Sequence, residues 1–333
     1  MKYKRVIISR YGGPEVLQVI EDELPEPQPG EVRVKVLAAG VAWGDIQKRA
    51  GLGLGIHPPF TPGYDIVGTV DKLGANVSTV DVGQMVAALP LFGGYAEFLC
   101  LPASELVQVP SGLDPAEAVC LVMNYVVAYQ LLHRAARVKP GERILIHSAA
   151  GGVGTALLQL GRLAELEMYG TASHGKHESL AALGVTPIDY RAENFTERIF
   201  ALTDDGVDAV FDPIGGTHIQ QSYRTLRRGG RLVVYGAHTI LSDGKLNAVS
   251  GLILSSVLNL IPDDKTVLTY NITRPKYSEP EWCRADLSML FGLLVQEKIK
   301  PIIAERIPLV EAAHAHELLE RGTVTGKLVL VNP

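Results

Sequence analysis

The sequence predicts an α/β chain, with a doubly wound parallel sheet following a β-rich domain. Three observations predict it. A glycine-rich elbow joins a strand to a helix near the middle of the chain. After it, short apolar runs alternate with helical segments; before it, alternating half-buried strands dominate.

Around the elbow the chain reads RILIHSAAGGVGTALLQLGRLAE, residues 143–165. Lys139-Pro140-Gly141-Glu142 is a turn signal, and the short apolar run after it reads as a buried parallel strand. Val153, Leu157, Leu160 and Ala164 then share one helical face. Strand, glycine turn and helix are the context that a dinucleotide fingerprint requires. In that reading Ala150, Gly151, Gly152, Val153 and Gly154 bring backbone N–H groups to a pyrophosphate at the helix start. Gly151 permits the close approach, and Gly154 permits close packing of helix on strand. Ala149 stands at the fingerprint's first glycine, and the same elbow without a ligand is a plain strand-to-helix turn.

Further strands are expected at 167–173, 187–190, 207–212 and 231–236, with a helix through 179–183. This alternation specifies the parallel sheet. Before the elbow, Val32, Val34 and Val36 alternate with Arg33 and Lys35, which reads as a half-buried strand. Strands at 16–21, 65–73, 84–88 and 95–101 follow, punctuated by glycine and proline clusters. Asp114 is placed to cap a helix that begins at Pro115. Near the C-terminus, a helix around 309–321 and a strand at 327–331 are expected to return to the first domain. The predicted division is 1–121 with 272–333, and 122–271.

Composition narrows the class. A net charge of −5 argues against a nucleic-acid partner. Three cysteines far apart support neither a disulfide framework nor a zinc cluster, which favours a reducing, cytoplasmic compartment. The N-terminus lacks a signal-peptide layout. The most apolar stretch, 248–261, is too short to span a bilayer, so no transmembrane segment is expected; it reads as a buried or pocket-lining helix.

The whole layout resembles the medium-chain dehydrogenase/reductase superfamily: a GroES-like β-rich catalytic domain first, then a Rossmann nucleotide domain. Ala149 to Gly154 is the form typical of its zinc-free quinone oxidoreductases. Asn124-Tyr125, Ala128-Tyr129, residues 170–173 with Lys176-His177-Glu178, Ile188-Asp189-Tyr190 and Asp212-Pro213-Ile214-Gly215-Gly216 are similar to the synaptic vesicle membrane protein branch. The resemblance implies an active site in the cleft between the domains.

Zinc members of the superfamily supply a Cys after the first long strand and a His in a Gly-His-Glu motif. Here those places read Gly40-Val41-Ala42-Trp43-Gly44-Asp45 and Pro62-Gly63-Tyr64-Asp65, so no metal is expected. His174 and His177 read as exposed at a helix start, and His314 and His316 as pointing to different sides of a helix. Without a Lewis acid, reducing a quinone or a C=C bond conjugated to a carbonyl is easier than oxidising an alcohol, because the developing enolate needs only hydrogen-bond donors. Tyr64 is the candidate catalytic donor, with a packed aromatic as its alternative. Asp45 belongs to the family's Asn-x-x-Asp pattern, either as a catalytic group or as an acceptor of backbone N–H bonds. The Asn of that pattern is Ala42, and the tyrosines common downstream are replaced by Gln47 and Gly53. The expected pocket comprises 40–55, Tyr64, the Asn124-Tyr125 region and the apolar helix after Gly244.

The second strand of the sheet ends Thr171-Ala172-Ser173-His174-Gly175-Lys176, with no carboxylate to repel a 2′-phosphate. The resemblance places Ser173, Lys176 and Tyr190 around that phosphate, which implies NADPH. Gly236 and Ala237 are expected near the nicotinamide, with Tyr270 and Asn271 passing it on the other side. Arg227 and Arg228 are expected at a helix C-terminus. Residues 265–270 are β-prone and in this family lie at the sheet edge, which points to a homodimer. Two functions follow: an NADPH-dependent reductase of small apolar carbonyl or quinone substrates (or of enoyl thioesters), and a non-enzymatic nucleotide- or partner-binding protein with a decayed cleft.

Overall fold

Six strands form one parallel sheet in the order Thr186–Asp189, Glu167–Ala172, Arg143–Ile146, Val207–Asp212, Leu226–Val234, Thr266–Thr269. Numbered within this sheet, that is 3-2-1-4-5-6, the doubly wound nucleotide-binding order. The computed structural model describes residues 1–52, 56–238, 241, 250–251 and 253–332. The chain divides into two compact units, Met1–Val126 with Glu281–Pro333, and Val127–Pro280. These junctions lie five and nine residues beyond 121/122 and 271/272.

In the nucleotide-type unit, every residue of Val207–Asp212 is buried, as a central parallel strand covered on both faces requires. Leu145, Val210 and Leu232 are wholly buried, and each such side chain stabilises the fold by about 1.5–3 kcal/mol. The strand order reverses between Arg143–Ile146 and Val207–Asp212. The crevice beyond the carboxyl ends of those two strands is where such sheets bind ligands.

The first unit holds a sheet ordered Ile303–Pro308, Lys327–Val331, Glu31–Gly40, Ile66–Leu73, Met85–Ala88, Val107–Gln108, with Phe98–Pro102 also pairing Glu31–Gly40. Lys2–Ile8 and Leu17–Glu23 form a separate antiparallel pair. Val32, Val34, Val36, Ile66, Val70, Leu328 and Leu330 build the core. The strand Lys327–Val331 does return to this unit, with Val329 opposite Gly40. Arg33 departs from simple alternation. It is buried, because Asp71 at 2.5 Å and Glu26 at 3.1 Å satisfy its guanidinium.

Asp114 caps Pro115–Cys120 by accepting from the Ala116 N–H at 3.0 Å. The helix continues to Ala135 through π turns at Leu121–Tyr125 and Gln130–Ala135. By length and composition alone, Pro115–Ala135 could cross a membrane, but 78% of its apolar window is buried inside the protein. In the stretch 248–261, Ile253 and Val257 are exposed, and they line a cleft of about 340 Å³ with Gly216, Thr217, Ser250 and Leu254. Arg227 and Arg228 lie in the strand Leu226–Val234 rather than at a helix end, since the preceding helix stops at Arg224. They pair with Asp208 and Asp264.

Candidate active site

The elbow is tied down on both sides. Ala149 donates its N–H to the Thr171 carbonyl at 3.1 Å, and Gly151 to the Ser148 carbonyl at 2.9 Å. Gly151 caps the helix Gly152–Leu163 with extended backbone and no side-chain acceptor. The N–H groups of its first turn therefore depend on water or a ligand. A Cβ at Gly154 would sit 2.4 Å from the Ser148 carbonyl oxygen and 2.5 Å from that of Ala149. Only glycine lets the helix start this close to the elbow. A phosphate fits this donor set, because the amides and the helix dipole act together.

At the end of the second strand, Ser173 precedes a short turn, His174–Lys176, and Lys176 is half-buried. Tyr190 is exposed beyond the neighbouring strand, and the Arg191 guanidinium lies 5.6 Å from its ring centre. Burial, and then Arg191, draw the Lys176 pKa down. Two cations thus share one corner at a strand end that carries no carboxylate. Arg191 escaped the sequence reading, although it directly follows Tyr190. His174 is exposed and His177 half-buried, its Nε2 3.3 Å from the Ala172 carbonyl.

Beyond the fourth and fifth strands, the Tyr235 N–H bonds the Asp212 carbonyl and the His238 N–H bonds the Pro213 carbonyl. Gly236 and Ala237 are therefore held against the Pro213–Gly215 turn. Tyr270 donates its hydroxyl to Gln130 Oε1 at 2.7 Å, and Asn271 Oδ1 accepts from the Thr273 N–H.

A polar cluster that sequence reasoning missed sits between the elbow and that turn. His147, Asp212 and His218 offer donor atoms within 4.8 Å of one another. The Ser222 hydroxyl lies among them, 2.7 Å from Asp212 Oδ2 and 3.2 Å from both His147 Nε2 and His218 Nδ1. The donors thus converge on a protein hydroxyl. Burial, then His218, push His147 down to about 3, so it is neutral. Burial alone would raise Asp212, but the His218 hydrogen bond and charge outweigh it and hold the carboxyl well below its usual range. Asp212 Oδ1 also accepts from the N–H groups of Ile214 and Gly215, at 2.7 and 3.1 Å. The signal was present in sequence: His147 directly follows one central strand and Asp212 ends the other.

In the first unit, Asp45 is fully buried. Its carboxylate accepts from the Gly63 N–H at 2.9 Å and the Ala42 N–H at 3.3 Å. Gly63 has φ +107°, a backbone that L side chains rarely adopt. Burial is the largest influence on Asp45 and raises it to about 6, against the opposing charge of Lys48. Its geometry is that of a backbone clamp joining the helix Trp43–Arg49 to the turn that carries Tyr64. Tyr64 is half-buried, and burial, then Asp45, push its phenol well above the usual range. It stays a protonated donor.

Beside Gly40, where zinc members have their ligand loop, Lys327 Nζ reaches Asp65 Oδ2 at 2.5 Å and Asn124 Oδ1 at 3.5 Å. A Cβ at Gly40 would lie 2.3 Å from Lys327 Nζ. An ammonium therefore fills that space. Asp65 Oδ1 and the Tyr125 hydroxyl are buried without a hydrogen-bond partner. Of the expected pocket, Gly53–Gly55 and residues 242–249 lie outside the described residues. His316 is buried, bonded to Arg49 and Tyr95 at 3.1 Å each; burial, then Arg49, draw it down to about 3.

Two family models match: residues 28–111 as alcohol dehydrogenase GroES-like domain, and 183–330 as zinc-binding dehydrogenase. The human synaptic vesicle membrane protein VAT-1 homolog is 32% identical, over 98% of this chain and 86% of the relative. A quinone oxidoreductase of Pseudomonas aeruginosa is 33% identical, over 98% of this chain and 99% of the relative. Among solved structures, Escherichia coli quinone oxidoreductase complexed with NADPH superposes with a TM-score of 0.89 at 28% identity, covering 99% of this chain and 100% of that one.

Proposed function

The chain belongs to the quinone oxidoreductase and VAT-1 branch of the medium-chain dehydrogenase/reductase superfamily, a family of nicotinamide-dependent oxidoreductases, and from that premise we propose that it is an NADPH-dependent reductase of quinones and α,β-unsaturated carbonyl compounds that works without zinc. The observation that carries the reading is the end of the second strand, where the run Ser173 to Lys176 holds no carboxylate and Lys176 feels the charge of Arg191, the residue after Tyr190. A 2′-phosphate is the anion suited to that corner.

Ala150 to Gly154 would hold the pyrophosphate of a bound cofactor, and Gly236, Ala237, Tyr270 and Asn271 would border its nicotinamide. The chemistry such a cofactor would supply when bound is a hydride for the substrate β-carbon. As that C–H bond forms, the C=C pair moves to the α-carbon and carbonyl oxygen, giving an enolate that takes a solvent proton. Tyr64 donates a hydrogen bond to the oxygen that gains charge, and its raised pKa keeps the donor proton in place. Asp45 acts at one remove, by fixing the helix and turn around Tyr64. Zinc independence rests on the Lys327–Asp65 pair beside Gly40, which places positive charge where a cation would have to enter. None of the three cysteines is in a disulfide, which supports the cytoplasmic placement.

The test follows NADPH oxidation against a panel of quinones, small enones and enoyl thioesters. Turnover of the first two classes is expected. Turnover of thioesters alone would reassign the substrate. Tight NADPH binding with no turnover of any class would favour a nucleotide-binding scaffold.

A further inference from the structure

The helix Trp43–Arg49 carries a buried cation that the mechanism above does not use. Lys48 is only 6% exposed. Its Nζ lies 3.6 Å from the ring centre of Tyr64 and 3.6 Å from that of Phe92. It donates to the Leu91 carbonyl at 2.6 Å. Leu91 has φ +71°, and its N–H returns to the Tyr64 carbonyl at 3.0 Å. Phe92 is braced edge-on by Phe60. The Tyr64 hydroxyl packs over Gly44 so closely that a Cβ there would be 2.4 Å from it. Lys48, Tyr64 and the Leu91-Phe92 turn thus form one packed group.

The charge of Lys48 is felt by the buried Asp45 but is not directly paired. Among the described residues, no carboxylate lies within ion-pair distance of Lys48. Asp45, one turn earlier, turns its oxygens to the Ala42 and Gly63 N–H groups and to the Tyr95 side chain. Methionine would fill the same aromatic box without the cost of desolvating an ammonium. A buried cation held by two ring faces and one carbonyl keeps an attraction for a further negative partner.

We propose that Lys48 is a positioning and specificity-determining residue of the carbonyl site, whose ammonium holds the Tyr64 ring by its face and biases the space at the Tyr64 hydroxyl toward planar oxyanions, the enolate or phenolate form that a reduced enone or quinone passes through. The inference rests on the role given to Tyr64 under Proposed function. It explains why a phenol so hard to ionise can still serve a developing negative charge. Tyr64 supplies the hydrogen bond and Lys48 the charge.

The charge is itself titratable. Burial draws Lys48 down to about 8, against the opposing effect of Asp45 on the same helix. The other titratable group packed on it is Tyr64, from the turn before Ile66–Leu73, which stays protonated over this range. Leu91 and Phe92 offer a carbonyl and a ring. The favourable charge is present below about pH 8 and is lost as pH rises through it.

The test uses 2,4-dinitrophenolate, a planar oxyanion at neutral pH, titrated into the full chain and followed by its visible absorbance. Wild type should bind it at about pH 7 and progressively lose it above about pH 8. Lys48→Met should bind roughly tenfold to a hundredfold more weakly and show no such limb. Lys48→Arg keeps a charge that does not titrate, so it should retain binding and lack the limb near pH 8. If Lys48→Met binds like wild type, or wild type binds no phenolate, the inference is overturned. The readout needs no turnover. A chain that binds the oxyanion through Lys48 but reduces nothing loses the proposed activity and keeps this site. A chain that reduces enones with the same kcat/KM and pH profile in Lys48→Met keeps the activity and loses this inference.

Discussion

Lys176→Ala is the sharpest probe of cofactor choice. Lys176 is half-buried, and its charge is already strained by burial and by Arg191. A phosphate dianion placed there relieves both. A hydrogen bond to a charged group contributes about 1.5–3 kcal/mol. At about 1.4 kcal/mol per decade, the substitution should weaken NADPH binding roughly tenfold to a hundredfold. Partial exposure pulls the figure toward the lower end. Arg191 is exposed, so Arg191→Ala should cost less, about 0.2–1 kcal/mol, or up to roughly fivefold. The double variant should bind NADPH more weakly than either single variant. NADH lacks the phosphate and should bind all four proteins alike. Fluorescence titration of both cofactors into each protein decides the matter. A wild type that prefers NADH, or a Lys176→Ala that weakens both cofactors equally, refutes the assignment of this strand end. A larger loss from Arg191→Ala than from Lys176→Ala transfers the main role to Arg191.

Three further outcomes are expected. A chelator should leave melting temperature and activity unchanged; about one zinc per chain after clean purification would contradict the zinc-free reading. The strand Thr266–Thr269 ends the parallel sheet, and we expect a second copy to pair with it, giving a homodimer; a monomer mass by light scattering at micromolar concentration would reject this. Lys327→Met strands the Asp65 carboxylate, whose side chain is 0% exposed, and should cost about 3–5 kcal/mol, or on the order of 10 °C in melting temperature. Asp65→Leu with Lys327→Met should recover most of that loss, and a double variant as unstable as the single would show that the pair is not the cause.

The parts of this protein that sequence displayed are those written at short range. A strand, a glycine turn and a helical face within residues 143–165 announced the elbow, because each signal repeats within a few positions. The carboxylate-free strand end at Ser173 was legible for the same reason. The charges that define the other half of the proposed site were not. Lys48 lies within the expected pocket stretch 40–55, but nothing local marks it out, because its box is built from Tyr64 and the Leu91-Phe92 turn. Arg49 meets His316 across 267 residues. Lys327 meets Asp65 across 262. The first pair joins two helices and the second is set by sheet register, and local periodicity encodes neither. Val329 stands opposite Gly40, and Lys327, two residues earlier, points to the same face as Val329. That register alone brings an ammonium over Gly40. The sequence lacks Cys and His at the places where zinc members of the superfamily hold them, and the Lys327 ammonium beside Gly40 becomes visible only through the pairing of a C-terminal strand with the first long strand. The proposed reductase chemistry is compatible with that arrangement. With a fixed cation filling the space beside Gly40, stabilising a substrate oxyanion falls to hydrogen-bond donors such as Tyr64 and to whatever charge is packed behind them.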